Sequence, residues 1–325
     1  MCTAIAYSSC FGRNLDLECS YSEKVVITPR NFPLPLQKKP PLTHHYAIIG
    51  MAAVVNNYPL YYDGTNEHGL SMAGLNFPGN AHYFPEKDGF DNITPYELIP
   101  WILSQCKNLE EAKILLGRLN LTNSPFSREL ALTPLHWILS DNESSLTIES
   151  TKEGLFVHPN PIGILTNNPP FPYHLQNLCN YKGLSPKDAE NNFSRSLSLE
   201  SYSRGMGAMG LPGDFSSASR FVRAAFVKLN SHPESDTNGI ITQFFHILDS
   251  VAMVQGSVIH KGLFEKTVYS SCCDTKNLIY YYTTYQNRQI TGVSMTENQR
   301  EGDTLFIHPL IETQQIQMIN NDQPI

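Results

Sequence analysis

The sequence contains no cluster of basic residues and no long apolar run. Of its 325 residues, 23 are Lys or Arg and 30 are Asp or Glu, which gives a formal net charge of −7. Nucleic-acid binding requires clustered positive charge that neutralises phosphates, so we expect no nucleic-acid partner. A bilayer-spanning helix needs about 20 consecutive apolar residues, and no stretch approaches that length. We therefore expect no membrane insertion.

Paired cysteines and metal-ligand spacings are also missing. The seven cysteines form an odd, scattered set without C-x-x-C spacing, at Cys2, Cys10, Cys19, Cys106, Cys179, Cys272 and Cys273. This pattern argues against a disulfide framework and against a zinc site. The 11 histidines form no H-E-x-x-H pattern, so we expect neither a metal nor another cofactor. No basic-then-apolar signal segment begins the sequence, and we expect a cytoplasmic protein.

Periodicity predicts antiparallel strand pairs with helices in two groups between them. The predicted strands are CTAIAY, CFGRNLD, HYAIIGMAAVV, PLYYDG, GLSMAGLNF, LHWILSD, SLTIEST, GLFVHP, IGILTNN, KTVYSSCC, NLIYYYTTY, QITGVSM and DTLFIHPL. The predicted helices are YELIPWILSQC, LEEAKILLGRL (with Asn108 and Glu111 as a capping pair), SSASRFVRAAFVKL and NGIITQFFHILDSVAMV. This order predicts an α+β fold rather than a doubly wound parallel sheet. Pro33–Pro41 and Asn168–Pro172 are interpreted as surface connections, and residues 1–325 as a single domain.

The first two predicted strands form a hairpin that brings potentially reactive side chains together. With Ser8-Ser9 as a two-residue turn, the cross-strand pairs are Tyr7 with Cys10, Ile5 with Gly12, Thr3 with Asn14 and Cys2 with Leu15. Because side chains alternate faces along a strand, Arg13 then lies on the face of Leu15 and diagonal to Cys2. Asp16 falls opposite the position of Met1.

Removal of Met1 would make Cys2 the amino terminus. A free thiol titrates near ~8.5 and an α-amine near ~7.7–8.0, so the amine accepts the thiol proton at little cost. A nearby arginine favours the thiolate, which is the nucleophilic form. Asp16 would hold the amine by a hydrogen bond. The alternative is that Cys2 is an ordinary strand residue and that Arg13 and Asp16 are solvated.

Ten segments along the chain resemble the choloylglycine hydrolase family. They are MCTAI, FGRNLD, TPRNF, NEHGLSMAGLNFPG, LTPLHWILSD, GILTNNPPF, SRGMGAMGLPGDFSSASRFVR, QFFHIL, YSSCCD and IYYYTTYQNRQI, in the same order and over essentially the whole chain. The resemblance implies an N-terminal nucleophile hydrolase with a four-layer αββα sandwich of two antiparallel sheets. It also implies a homotetramer.

The resemblance further implies the site residues. Cys2 would be the nucleophile of a mature chain that starts at Cys2, and Arg13 and Asp16 would be its companions. Asn167 would place its amide in the oxyanion hole, with Asn76 and Arg220 completing the site. A strand-end amide aimed at developing negative charge suits that role. Read alone, Asn167 is more typical of a turn residue, Asn76 could start a turn, and Arg220 could be an ordinary solvated charge at the start of a helix.

The resemblance is greatest to the family's conjugated bile acid hydrolases, which implies glycine- or taurine-conjugated bile acids as substrates. Penicillin V acylases of the family carry Tyr at the position of Asn76. The family's pocket positions correspond to a mostly apolar set, as a steroid requires: Leu15, Val55, Tyr62, Phe126, Leu130 and Thr133. Each could also be a simple core residue.

The first hairpin departs from the family pattern, and we expect this departure to affect activity rather than fold. Relatives have a longer first hairpin, and a turn other than Ser8-Ser9 would slip the register and move Arg13 to the other face. Three alternatives therefore stay open: a penicillin V acylase, a bile acid binder with impaired catalysis, and a papain-like Cys–His protease. The last requires a histidine such as His68, His136 or His174 beside Cys2.

Overall fold

Two antiparallel sheets contain most of the strands. The computed structural model describes residues 1–128, 130–233 and 236–319. The seven-stranded sheet has the order β12-β1-β2-β14-β15-β16, with β13 paired to β14. Its strands are β1 (Cys2–Tyr7), β2 (Cys10–Leu17), β12 (Ile164–Leu165), β13 (Val258–His260), β14 (Leu263–Asp274), β15 (Ile279–Thr284) and β16 (Thr291–Ser294).

The second sheet has eight strands in the order β11-β10-β9-β6-β5-β4-β3-β17. They are β3 (Lys24–Thr28), β4 (Ile48–Val55), β5 (Tyr58–Asn66), β6 (Ser71–Asn76), β9 (Leu135–Ser140), β10 (Ser145–Thr151), β11 (Gly154–Pro159) and β17 (Phe306–Pro309). A short parallel pair is formed by β7 (Asp91–Ile93) and β8 (Leu119–Leu121).

The helices cover the outer faces of the two sheets. They are α1 (Leu98–Leu103), α2 (Leu109–Leu116), α3 (Phe171–Asn177), α4 (Ser217–Leu229), α5 (Thr237–Asp249) and α6 (Glu297–Arg300). One apolar cluster joins the inner faces of both sheets and also takes in Phe221 of α4 and Phe244 of α5, both fully buried. A second cluster packs α1 and α2 on the other face of the eight-stranded sheet. Each buried aromatic stabilises this packing by about 1.5–3 kcal/mol. The predicted α+β, αββα layering is confirmed.

The first hairpin has the predicted register. Tyr7 pairs with Cys10, and Cys2 pairs with Leu15, across the two-residue Ser8-Ser9 turn. Ser8 adopts φ of 54°, a left-handed conformation that such tight hairpin turns require. The two-residue tip therefore gives the predicted pairing of the strand ends.

Several predicted boundaries are wrong, and tertiary contacts explain them. The fourth predicted helix ends at Asp249, because the chain leaves the helix so that Met253 can exchange hydrogen bonds with Thr267. The first predicted helix starts as a 3-10 turn and is α-helical only over Leu98–Leu103. Asn108 caps α2 as predicted, but the Glu111 carboxylate accepts from the Lys107 N–H rather than from Asn108.

The two predicted surface connections are also partly wrong. Phe171 is fully buried and begins α3, with prolines on both sides that suit the first helical turn. In the other segment Leu34 and Leu36 are buried, and Leu34 packs with Phe32 and Tyr58. Strand β3 was not predicted, and the predicted strand IGILTNN retains only Ile164–Leu165.

Candidate active site

Cys2 is the first residue of β1 and lies at the edge of the seven-stranded sheet where the two neighbouring antiparallel strands, β2 and β12, end. The residue is buried, and its cross-strand partner is Leu15. On the other side of β1, β12 pairs with Ala4 and Ile5 and delivers the following segment, Thr166–Asn167, to the start of β1. This three-strand arrangement brings residues far apart in sequence to one point.

The hairpin presents different side chains to its two faces. Arg13 points toward the eight-stranded sheet, where its Nη1 donates to the carbonyl oxygens of Tyr62 at 3.0 Å and Gly74 at 2.6 Å. Asn14 points the opposite way and donates to Leu248 O on α5 at 2.9 Å. Alternation therefore puts the Cys2 side chain on the Arg13 face, as predicted from the pairing.

Arg13 is a fully buried positive charge beside the thiol. Burial acts to lower the pKa of Arg13, but the negative potential of Cys2, Tyr269 and Asp63 holds its pKa above the ordinary value. Its Nη2 has no hydrogen-bond partner among the described residues. Arg13 therefore has both charge and an unused donor on this face of the sheet.

Asn167 contacts both the backbone of Cys2 and the strand that carries Asn76. Its Oδ1 accepts the Cys2 N–H at 2.8 Å, and its Nδ2 donates to Asn76 O at 2.7 Å. A carboxamide has two Nδ2 hydrogens, so one stays available to a further acceptor. The backbone of Asn167 is held as well, since its N–H donates to Ser217 Oγ at 2.8 Å.

Asn76 ends β6 with its backbone turned away from β9. The next residue, Phe77, donates its N–H to Pro134 O at 2.7 Å. Alternate residues face the partner in an antiparallel ladder, so the N–H and C=O of Asn76 point to the other side. That side carries the Asn167 amide, which binds Asn76 O.

Arg220 ties the first strand to the Asn167 amide from the helix side. It lies in the first turn of α4, fully buried, where Ser216 caps the helix. Its Nη1 donates to Cys2 O and Thr3 Oγ1, both at 2.6 Å, and its Nη2 donates to Asn167 Oδ1 at 2.8 Å. Burial lowers the pKa of Arg220, and the negative potential of Asp16 opposes that effect.

Asp16 is a buried carboxylate with one unused oxygen. Its Oδ1 accepts from Thr267 Oγ1 at 2.7 Å, whereas Oδ2 has no hydrogen-bond partner among the described residues and lies 3.9 Å from Arg220 Nη1. Burial raises the pKa of Asp16 above its usual range, and Arg220 opposes the shift. A cavity of about 470 Å³ between the end of α5 and strands β14 and β15 reaches Thr267.

Met1 continues the β1–β2 ladder and is itself held at the site. Its carbonyl oxygen accepts from Asp16 N at 2.9 Å, and its amino group donates to Asp16 O at 2.5 Å. The same amino group forms an ion pair with the buried Glu265. With Met1 present, the nitrogen of Cys2 is a peptide N–H rather than an amine.

The structure brings Cys2, Arg13, Asp16, Asn76, Asn167 and Arg220 together at this edge. Of the predicted pocket residues, Leu15 faces Cys2 across the hairpin, and Tyr62 accepts from Arg13 through its carbonyl. Val55 ends β4, where it pairs with Tyr58, and the ring of Tyr58 lies 5.5 Å from that of Phe126. Leu130 and Thr133 are exposed. A pocket formed by these six residues stays a prediction.

Several residues of the site were missed from the sequence. Glu265 and Thr267 lie on β14 and contact Met1 and Asp16, and Asp63 accepts from the hydroxyls of Tyr269 and Tyr280 near Arg13. None stands in a local motif, because each reaches the site through strand order alone. The register of β14 against β2, which sets Thr267 opposite Asp16, was the missing information.

Comparison with known proteins gives the family. A family model described as linear amide C–N hydrolases, choloylglycine hydrolase family, matches residues 2–307. The chain belongs to the choloylglycine hydrolase family. The bile salt hydrolase/transferase of Lactiplantibacillus plantarum is 52% identical over 324 residues, covering 98% of this chain and 100% of the relative. That of Clostridium perfringens is 39% identical over 332 residues, covering 98% and 100%.

Two solved structures have the same architecture. The mutant C2A conjugated bile acid hydrolase from Clostridium perfringens superposes with a TM-score of 0.89 at 37% identity, covering 98% of this chain and 100% of that one. Penicillin V acylase from Agrobacterium tumefaciens has a TM-score of 0.72 at 18% identity over 94% and 90%, which shows a common fold. The predicted N-terminal nucleophile hydrolase fold is confirmed, and the chain is an amide-hydrolysing enzyme. Within the described residues, no helix is long and apolar enough to span a membrane.

Proposed function

We propose that this protein hydrolyses the amide bond of glycine- or taurine-conjugated bile acids with Cys2 as an N-terminal nucleophile. The substrate is supported by relatives named bile salt hydrolase/transferase, 52% and 39% identical over nearly the whole chain. The nucleophile is supported by the convergence of Asn167, Arg13 and Arg220 on Cys2. The single observation that carries the proposal is the pair of contacts from Asn167 to Cys2 N and to Asn76 O.

Removal of Met1 frees the Cys2 amine for acid–base work. The amine keeps the Asn167 Oδ1 contact and gains hydrogens that a buried acceptor can bind. Asp16 Oδ2 is such an acceptor, because it has no partner within the described part of the chain. The amine takes the thiol proton, and Arg13 favours the resulting thiolate.

The reaction proceeds through two tetrahedral intermediates. The Cys2 sulfur attacks the amide carbonyl carbon, and the oxygen becomes an oxyanion that the second Nδ2 hydrogen of Asn167 and the Asn76 N–H bind. The C–N bond breaks as the Cys2 ammonium protonates the leaving glycine or taurine nitrogen. Water, deprotonated by the same amine, then attacks the thioester and releases the bile acid and the thiol.

The thioester also provides a route to acyl transfer. An amine that attacks it in place of water would form a new amide, and the two relatives above are named hydrolase/transferase. A free amino acid added to the reaction should then yield a new conjugate. If no new conjugate forms at high amine concentration, the enzyme carries out hydrolysis and not acyl transfer.

The substrate class is tested by comparing taurocholate, glycocholate and penicillin V. Asn76 stands where penicillin V acylases of the family carry Tyr, so we expect kcat/KM for a bile conjugate to exceed that for penicillin V. A preference for penicillin V would replace the proposed substrate. Equilibrium binding of bile acids without release of glycine or taurine would favour the impaired binder. A chelator is expected to leave the rate unchanged.

The papain-like alternative is disfavoured by the positions of two histidines. His136 binds Glu149 and Thr166 O, and His174 binds Asn167 O, so neither is bonded to Cys2. The homotetramer, the cytoplasmic location and the single domain over residues 1–325 stay predictions from the sequence.

A further inference from the structure

A buried histidine connects the two segments that carry the proposed oxyanion donors. His136, on β9, is fully buried and pairs with Leu75 of β6, one residue before Asn76. Its ring stacks on that of Phe77, the residue after Asn76, at 4.2 Å and 4°. Its Nε2 lies 2.8 Å from Thr166 O, the carbonyl of the peptide bond to Asn167. One side chain therefore contacts the neighbours of both asparagines.

The partners of His136 show how each ring nitrogen is hydrogen-bonded. Nε2 faces a carbonyl oxygen, which only accepts, so Nε2 carries hydrogen. Nδ1 lies 3.0 Å from Glu149 Oε1, and that oxygen also accepts the Phe171 N–H at 3.0 Å. A hydrogen bond at Nδ1 needs one more proton, which the imidazole and the carboxyl share. The pair is therefore a buried, hydrogen-bonded unit that donates to Thr166 O through Nε2.

We propose that His136 and Glu149 form a positioning unit that holds the Asn167 and Asn76 segments in oxyanion-binding geometry. The inference rests on the proposed function, because it assigns His136 and Glu149 a role in holding the proposed oxyanion donors. His136 acts on Asn167 through Thr166 O and on Asn76 through the Phe77 ring. Glu149 supplies the acceptor that keeps the imidazole oriented, and it anchors α3 through Phe171 N.

Distances explain why such a unit would affect rate rather than substrate binding. An oxyanion donor works only within about 2.7–3.1 Å of the oxygen that develops charge. The Asn167 peptide is held on three sides, by His136 before it, by Ser217 at its N–H and by His174 at its carbonyl. A shift of about 1 Å in this peptide is expected to cost about 10²-fold in rate.

Two substitutions at position 136 separate the two hydrogen bonds. In His136→Gln the amide nitrogen approximates Nε2 and keeps the donor to Thr166 O. In His136→Asn it approximates Nδ1 and keeps only the Glu149 contact. Glu149→Gln removes the shared proton and is matched by Glu153→Gln, an exposed carboxylate near the end of the same strand.

Each variant is examined by kcat, KM and the rate of Cys2 alkylation by iodoacetamide. Alkylation proceeds by displacement at carbon and forms no oxyanion, so it reports an intact, reactive thiol independently. The exposed thiols Cys19 and Cys179 are first replaced by Ser, so that alkylation at Cys2 can be followed. Rates are measured on whichever amide the wild type cleaves, taurocholate or penicillin V.

We expect His136→Asn and Glu149→Gln to lower kcat about 10- to 100-fold, with KM and alkylation rate changed less than about threefold. His136→Gln should stay within about fivefold of wild-type kcat, and Glu153→Gln should match the wild type. Equal losses in His136→Gln and His136→Asn, or a parallel loss of kcat and alkylation, would overturn the proposal. Should His136→Asn fail to fold, Glu149→Gln carries the same test. A wild type that cleaves only penicillin V would refute the bile acid proposal and leave this one testable.

Discussion

The backbone nitrogen of Cys2 lies 2.8 Å from the side-chain oxygen of Asn167, a residue 165 positions away in sequence. That contact depends on β12, which pairs with β1 and ends just before Thr166. It lets one carboxamide orient the nitrogen of the proposed nucleophile and still present a donor to the oxyanion. Arg220 binds the same Oδ1 and fixes the amide orientation.

Replacing Asn167 by Ala should remove an oxyanion donor and lower kcat about 10²–10³-fold. Asn168 offers a matched control, because it is the next residue and its Nδ2 donates to Pro78 O rather than to Cys2 or Asn76. Steady-state kinetics on taurocholate should give near wild-type kcat for Asn168→Ala. Similar losses in the two variants would mean that the effect comes from the loop and not from the Asn167 amide.

Replacing Arg220 by Lys keeps a positive charge but loses the fork that binds Cys2 O, Thr3 and Asn167 together. We expect kcat to fall about 100-fold through the misplaced amide. Arg223, one turn along α4, binds Ser250 O and Pro212 O and supplies the control. Arg223→Lys should alter thermal stability while leaving kcat within about threefold. An active Arg220→Lys enzyme would contradict the assigned role.

Arg13 is expected to sustain the reactive thiolate, since it lies on the same face as Cys2 and the two interact electrostatically. In the background without Cys19 and Cys179, Arg13→Gln should slow iodoacetamide alkylation at pH 7 about tenfold or more. The exposed Arg118→Gln is the control. Unchanged alkylation in Arg13→Gln would show that the arginine acts on structure alone.

The stability of the fold should depend on pH through His174. Burial lowers the pKa of His174 below its ordinary value of 6.5, and the hydrogen bond to Asn167 O opposes the shift. The unfolded chain therefore binds a proton at His174 near pH 6.5, whereas the folded chain binds it only at a lower pH. Stability is present above that pH and is lost as pH falls toward the folded pKa.

Glutamine at position 174 retains a donor to Asn167 O and does not titrate. The decrease in melting temperature between pH 7 and pH 5 should therefore be smaller in His174→Gln than in the wild type. The exposed His232→Gln should keep the wild-type slope. If His174→Gln and the wild type lose stability in parallel, His174 does not set the pH dependence.

Sequence reasoning succeeded where structure is local. The Ser8-Ser9 turn fixed the hairpin register, and this register predicted the pairing of Cys2 with Leu15 and the face of Arg13. The amphipathic pattern likewise predicted α4 to within one residue. In each case the relevant contacts lie within a single hairpin or a single helix.

Long-range contacts account for most of what was missed. Nothing around Glu265, Thr267 or Asp63 marks them locally, because the order of strands brings them to the hairpin. His136 has no motif either, and its role depends on β6, β9 and the Thr166 segment meeting. Asn76, Asn167 and Arg220 were predicted through the family resemblance and not from spacing.

The most direct measurement is the intact mass of the purified, active enzyme before and after alkylation, in the background without Cys19 and Cys179. The account predicts a chain lighter by one methionine residue that gains a single label at Cys2 and loses its activity in proportion. Full activity in a population that retains Met1 would contradict it, because Cys2 would then have no free amine to carry the proton.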